Sequence, residues 1–283
     1  MAEGVPVGET CRILRLSRAS YYRHQRALTI VKPEAPQQDA SEAALVERIR
    51  DLAGKHPFWG YRRITAFLQR KCSLNVNWKR VRRLMRLHGL SVPVKRYKAK
   101  RVETRSKPQP TRQNEWWGTD MTKFYVQGLG WLYLVVVIDW YTKRTLGYSL
   151  GLRPKTDLWL EALHQAVEVA CPAGSRSENI HMMSDNGSQP TSRRYEMILE
   201  ILSIEHVTTS FNNPKGSSDA ERFMRTFKEE VVWPNEFESL EEATRAVDVF
   251  FLFYNRDYPN STLKGMSPID FEASLNQTQT AAA

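Results

Sequence analysis

The sequence predicts an all-helical basic region followed by an α/β layered domain. Three observations carry that prediction. Charge is split along the chain: residues 1–113 hold 26 Lys and Arg against 8 Asp and Glu, whereas residues 114–283 hold 15 against 23. Apolar residues recur at helical spacing in residues 41–90, then run in strand-like stretches from residue 114 onward. From there the pattern reads strand, strand, strand, helix, strand, helix, strand, helix. That order describes an antiparallel meander followed by crossovers.

With 283 residues, 41% of them hydrophobic, the chain can build one large core and one or two small ones. The longest apolar run, 131–138, is too short to span a bilayer. Met1-Ala2-Glu3-Gly4 lacks the pattern of a signal peptide, so a soluble cytoplasmic protein is expected. Cys11, Cys72 and Cys171 are odd in number and far apart, which argues against a disulfide framework or a zinc knuckle. His24, His56, His88, His164, His181 and His206 form no close pair and read as solvated or core residues. A net charge of +10 concentrated in the first part of the chain points to a polyanion, and to nucleic acid held through its phosphates.

Taken in order, residues 1–30 resemble part of a helix-turn-helix, with Ser17 as the N-cap of a short helix carrying Tyr21 and Tyr22. Residues 27–40 read as a linker. Residues 41–90 predict three short helices. The first buries Leu45, Ile49 and Leu52. The second turns Ile64, Phe67 and Leu68 inward and Arg62, Arg63, Arg70 and Lys71 outward. The third starts near Asn77, turns Trp78, Val81, Leu84 and Met85 inward, and stops at Gly89. Its other face carries Lys79, Arg80, Arg82, Arg83 and Arg86. Such a module resembles a winged-helix or helix-turn-helix DNA-binding domain. Residues 91–113 form a basic, proline-containing linker whose Lys95, Arg96 and Lys98 are expected to track a DNA backbone.

Strands are predicted at 115–126, 131–139, 145–150, 180–184 and 206–210. The second is apolar almost throughout and must be covered on both faces. Helices are expected at 157–169 and 192–201, from Glu221 through to the stop at Pro234, at 240–254 and, shorter, near 267–271.

Three carboxylates stand on these elements. Asp120 lies within the first strand, Asp185 just past the fourth, and Glu221 in the first turn of a helix, with 35 residues between Asp185 and Glu221. Each alone has an ordinary reading: a salt bridge, a strand-ending turn, a carboxylate favoured by the helix dipole. Together, with the first and fourth strands as neighbours, they would repel one another unless a cation sat between them. Their oxygens suit a pair of Mg²⁺ or Mn²⁺ ions and phosphodiester chemistry. Asp139, at another strand end, reads as structural.

Trp117-Gly118-Thr119-Asp120-Met121-Thr122, Ser184-Asp185-Asn186-Gly187-Ser188-Gln189 and the run from Asn213-Pro214-Lys215-Gly216 through Glu221-Arg222-Phe223 to Glu230 resemble the catalytic blocks of DDE transposases. The match is to bacterial insertion sequences of family three, within the retroviral-integrase superfamily. Phe58-Trp59-Gly60-Tyr61-Arg62-Arg63-Ile64 is similar to that family's N-terminal helical domain, and Tyr254-Asn255-Arg256 with Leu263 and Ser267-Pro268 to its C-terminal signature. The resemblance implies a ribonuclease H-like integrase catalytic core over 114–260, with a tail at 261–283. It implies a catalytic and metal-binding triad of Asp120, Asp185 and Glu221. It further implies Mg²⁺-dependent cleavage of double-stranded DNA at element ends and transfer of the freed 3′-hydroxyl. The family's basic residue seven positions past the Glu maps to Lys228 and is expected to touch DNA.

Two departures are visible. The lead-in to the Glu is Gly216-Ser217-Ser218-Asp219 rather than an acidic-Asn-Ala run, and the His usual after the Tyr-Asn block is Tyr258. The chain looks like the second-frame product, expected to act as a homo-oligomer on DNA in the bacterial cytoplasm, associated with the nucleoid, and to work with the first-frame product or as a fusion to it. Two other readings are a metal nuclease of the same fold, which would cleave without joining, and an inactive or regulatory DNA-binding product of the element.

Overall fold

A computed structural model describes residues 7–13, 17, 21, 40–93, 108–208 and 218–282. The chain divides into two compact units, Met1–Arg50 and Asp51–Ala283. The helix-turn-helix-like segment expected over residues 1–30 lies largely outside the described residues; helix α1 (Val7–Ile13) falls within it. Helix α2 (Ala40–Lys55) buries Leu45, Ile49 and Leu52 at the spacing the sequence predicted.

Helix α3 (Tyr61–Arg70) starts after Gly60 and buries Ile64, Thr65 and Leu68, with Phe67 half-buried. Helix α4 (Trp78–Leu87) is capped by Asn77, whose side chain accepts from the Lys79 amide at 2.8 Å. Val81, Leu84 and Met85 are buried as expected, but Trp78 is 44% exposed. It belongs to the same stripe by spacing, yet as the first helical residue it overshoots the core and lies beside the Tyr61 ring at 5.8 Å. Gly89 takes φ 69° past the helix end, the left-handed region a glycine stop needs.

The second fold is a five-stranded sheet built from β1 (Trp116–Val126), β2 (Gly130–Asp139), β3 (Thr145–Gly151), β4 (His181–Ser184) and β5 (Glu205–Thr208). Their order is β3-β2-β1-β4-β5. The first three strands form the antiparallel meander, and β4 and β5 run parallel to β1 after crossovers through α5 (Thr156–Ala170) and α6 (Arg193–Ile201). This is the ribonuclease H-like arrangement. Thr209 and Ser210, expected to extend the fifth strand, lie outside the described residues.

Both faces of the sheet are covered, which explains the continuous apolar run of β2. Under α5 and α6 the core holds Trp117, Val135, Val137, Trp159, Leu163 and Tyr195. On the other face lie α7 (Ser218–Phe227) and α8 (Leu240–Arg256), joined through an aromatic layer. Phe227 meets Phe124 of β1 at 5.7 Å and Phe250 of α8 at 5.5 Å, and Phe223 meets Tyr254 edge-on at 4.8 Å.

Two sequence expectations need correction. The helix past Glu221 does not continue as a plain α-helix to Pro234. Residues Lys228–Val232 form a π-helical turn, closed by the Trp233 amide donating to the Lys228 carbonyl at 2.9 Å. Apolar spacing cannot register such a local widening. The last helix, α9 (Pro268–Ala282), is longer than the stretch 267–271. Its polar second half has no apolar stripe to betray it. Among the described residues no helix is long and apolar enough to cross a membrane.

Candidate functional site

Strand pairing brings the first two carboxylates to one level. Gly118 of β1 pairs in register with Met183 of β4. Two residues further along each chain come Asp120 and Asp185, so the parallel alignment sets them side by side. Gly118 is required here by packing. A Cβ at this position would stand 2.2 Å from Nε1 of Trp140, the buried residue following β2. Asp120 is half-buried and its Oδ1 accepts from the Met121 amide at 2.8 Å. Asp185 is exposed just beyond β4, where its Oδ1 accepts from the Gly187 amide at 3.1 Å in a side-chain-to-backbone turn.

Glu221 projects from the first turns of α7, which packs on β1. Lys228 stands seven residues later, close to two full turns, and therefore on the same flank. The acidity of Asp120 registers this convergence. Burial pushes its pKa up to about 6, Asp185 and Glu221 push the same way through their charges, and Lys228 opposes them. The three sequence-predicted carboxylates and Lys228 thus share one electrostatic neighbourhood.

A set of three carboxylates, with no thiol or imidazole, has the hard oxygen chemistry that suits Mg²⁺ or Mn²⁺. Their mutual repulsion is what a divalent cation would relieve. As placed, Asp120 and Asp185 each turn an oxygen to their own backbone, and among the described residues no group of three or more His, Cys, Asp or Glu is arranged to hold an ion.

Asp139 is spent elsewhere. Its Oδ1 accepts from the Asn114 amide at 3.1 Å, and its Oδ2 from the Thr142 amide at 2.7 Å and hydroxyl at 2.6 Å. Burial pushes its pKa up, and these hydrogen bonds act against the shift. The carboxylate organises the turn between β2 and β3.

Of the basic residues singled out in the sequence, Arg62, Lys79, Arg80, Arg82 and Arg83 are exposed on α3 and α4. Arg63 is half-buried, with its guanidinium 5.1 Å from the centre of the Tyr258 ring. Lys71 is outward-facing as read, and there it is paired with Asp257 at 3.2 Å and Asp270 at 3.1 Å. Arg62 and Arg82 approach the Tyr61 ring at 5.7 and 5.5 Å, and Lys79 approaches Trp78 at 5.8 Å. A shallow groove of about 380 Å³ opens beside these rings, lined also by Thr65, Ala66 and Gln69. Lys95, Arg96 and Lys98 lie outside the described residues, as do Asn213-Pro214-Lys215-Gly216-Ser217.

Sequence reasoning missed the residues that support the carboxylates. Lys143 Nζ donates to Asp219 Oδ2 at 3.1 Å, tying the first turn of α7 to the turn that Asp139 organises. Ser184 Oγ donates to the Asp185 carbonyl at 2.9 Å and lies 2.8 Å from His206 Nε2. Burial lowers the pKa of His206. His56 and Trp59 both reach Glu230, at 2.7 Å each. Each histidine was read alone, because its partner is 22 or 174 residues away.

Comparison with known proteins agrees with this architecture. Residues 110–214 match the family described as integrase core domain, residues 202–268 a second family of that description, and residues 40–98 the HTH-like domain. The putative transposase InsK for insertion sequence element IS150 of Escherichia coli (strain K12) is 32% identical over 284 residues, covering 96% of this chain and 94% of the relative. The transposase for insertion sequence element IS904 of Lactococcus lactis subsp. lactis (strain IL1403) is 30% identical over 248 residues, covering 83% and 96%. Among solved structures, the HTLV-2 integrase catalytic core domain in complex with magnesium overlays with a TM-score of 0.45 and 16% identity, over 58% of this chain and 99% of the other. That overlay is too loose to carry chemistry across. The two transposases suffice, and with the integrase core and HTH-like matches they establish that this chain belongs to the transposases of insertion sequences, DDE transposases of the integrase superfamily.

Proposed function

We propose that the protein cleaves DNA at the ends of its insertion sequence and transfers the resulting 3′-hydroxyl to a target strand, with Asp120, Asp185 and Glu221 as catalytic residues and ligands of Mg²⁺ or Mn²⁺. The observation that supports this reading is the β1–β4 register that brings Asp120 beside Asp185, with Glu221 near enough that it and Asp185 add to the rise that burial chiefly gives the Asp120 pKa, to about 6. Three carboxylates kept close at a cost in charge repulsion call for a divalent cation. Bound, that cation would activate a water or 3′-hydroxyl and stabilise the leaving 3′-oxygen of an in-line displacement.

The chain's own residues do the rest. β1 carries Asp120 and the end of neighbouring β4 presents Asp185, so the reacting phosphate is positioned by the sheet. Lys228 offers a cation on the same flank as Glu221, where a phosphate beside the reacting one can rest. The exposed cations of α3 and α4 take phosphates along the duplex, and the rings of half-buried Tyr61 and exposed Trp78 provide apolar and stacking contact among them. We assign residues 41–90 to this DNA-engaging module, 91–113 to the linker that follows the backbone, and 114–260 to the catalytic core. A homo-oligomer on paired ends, in the cytoplasm at the nucleoid and in concert with the first-frame product, completes the reading.

The test uses the purified chain, Mg²⁺ and a labelled duplex spanning the junction between element and flanking DNA. Site-specific nicking is expected, with strand transfer from pre-cut ends. Asp185→Asn should abolish both reactions while leaving end binding within about threefold. Nicking without joining would identify a nuclease. Binding with no Mg²⁺-dependent nicking, unaffected by Asp185→Asn, would identify a regulator and overturn the proposal.

A further inference from the structure

Glu230 follows Lys228 by two residues in the π-helical turn, yet its side chain points away from solvent, at 5% exposure. Trp59 Nε1 donates to its Oε1 at 2.7 Å, and His56 Nδ1 lies 2.7 Å from its Oε2. An indole N–H can only donate, so the carboxyl group is the acceptor. The surroundings are rigid. Trp59 is fully buried, His56 stacks on it at 4.0 Å and on Phe253 of α8 at 5.2 Å, and Tyr258 closes the Trp59 edge at 5.8 Å. Both partners come from the segment between α2 and α3, immediately ahead of the helices that carry the exposed cations. The acceptor belongs to the helical rod that carries Glu221 and Lys228.

A buried carboxylate that loses its donors is strongly unfavourable, so this contact has one setting and resists sliding. A surface ion pair would not hold a helix to that tolerance. A π turn at this point is the kind of irregularity that gathers at functional sites. Here it lies between Lys228, which acts on Asp120, and Val232, with the buried Glu230 at its centre.

We propose that Glu230 is a positioning residue. Held by His56 and Trp59, it fixes the axial setting of the rod bearing Glu221 and Lys228 against the α3–α4 module. DNA gripped by that module is thereby presented to the carboxylates in one register. This rests on the function proposed above, and the prediction specific to it concerns where the DNA is cut.

The test applies Glu230→Met and Trp59→Phe to the full chain with the same labelled junction duplex and Mg²⁺. The first keeps the side chain's size, and the second keeps the ring while removing the indole donor. For each variant we expect a single-turnover nicking rate at saturating DNA at least tenfold lower. The half-saturating DNA concentration should change less than threefold. The cut should spread from one phosphodiester to its neighbours. The double variant should be no worse than the poorer single one, since both remove the same contact.

Wild-type rate and a single cut position in both variants would overturn the proposal. So would a loss of rate that follows the folded fraction, measured by circular dichroism, with the cut position unchanged. Failure of both variants to fold would reduce the contact to stability and overturn it equally. A wild-type chain that binds ends and never nicks would instead sink the functional reading, and this proposal with it.

Discussion

Asp120 shows how a single residue can be set against stability. Burial and two neighbouring negative charges raise its pKa to about 6. Keeping it ionised at neutral pH therefore costs the metal-free fold about 1–3 kcal/mol. Asp120→Asn should raise the thermal midpoint of the metal-free protein at pH 7 while eliminating nicking. A midpoint at or below wild type, by calorimetry in chelator, would contradict that account. Gly118 is the opposite case, where the smallest side chain is imposed by a neighbour. A Cβ there would meet Trp140 Nε1 at 2.2 Å, and Trp140 is 1% exposed and cannot step aside. Gly118→Ala should cost about 1–3 kcal/mol in denaturant unfolding, with a shift of β1 that also disturbs Asp120.

Among the elements, the start of α7 is the informative one. It carries Glu221, and the nine residues before it, 209–217, lie outside the described set. The first turn is tied to the sheet through Asp219 and Lys143. Lys143 itself adopts φ 60° in a turn whose shape Asp139 maintains through Thr142 and Asn114. The two side chains are 16% and 20% exposed, so the pair is shielded enough to matter. Lys143→Met is expected to cost about 1–2 kcal/mol in stability and to slow nicking by loosening the turn that presents Glu221. Unchanged activity at equal folded fraction would separate this tether from the site. The parallel pairing of β1 with β4 works at the same scale. A one-residue slip would turn Asp120 and Asp185 to opposite faces, and the buried partners Trp117 and Met182 forbid it.

At the scale of the whole molecule, two charge effects separate cleanly. The basic part of the chain should make end binding fall steeply with salt. Removing one phosphate-contacting cation, as in Arg82→Ala, should reduce the log–log slope by about one, with little change in sequence preference. Lys71 is different, because its charge is met within the protein. Burial lowers its pKa, but hydrogen bonds and charge from Asp270 and Asp257 outweigh that and raise it above 10.5. For Asp270, burial raises the pKa, but the Lys71 and Ser267 hydrogen bonds and the Lys71 charge bring it below 3.8. A lowered acid contributes stability above its unfolded value and loses it as pH falls through the folded one. A raised base contributes below 10.5 and loses it as pH climbs further. The stability gap between wild type and Lys71→Met should therefore stay flat from pH 5 to 9, at less than about 1 kcal/mol given the exposed carboxylates, and close below about pH 4. Thermal melts across that range test it.

The sequence by itself determined the order of strands and helices, because apolar period and turn residues are local properties. It also determined the charge split and the three acidic blocks, whose spacing along the chain needs no fold to be seen. Only the tertiary structure decided what those blocks stand among. Asp139 and Asp185 both follow strands, and pairing alone sends one into its own turn and leaves the other level with Asp120. Trp78 fits an inward stripe by number yet lies beyond the core's edge. Lys71 reads as a surface cation but is met by two acids from the chain's far end. Glu230 looks like one more charge after Lys228, and its partners are 171 and 174 residues away. Hydrogen bonds and ion pairs form between groups that folding brings together, and no periodicity along the chain encodes which distant donor a buried carboxyl group will find.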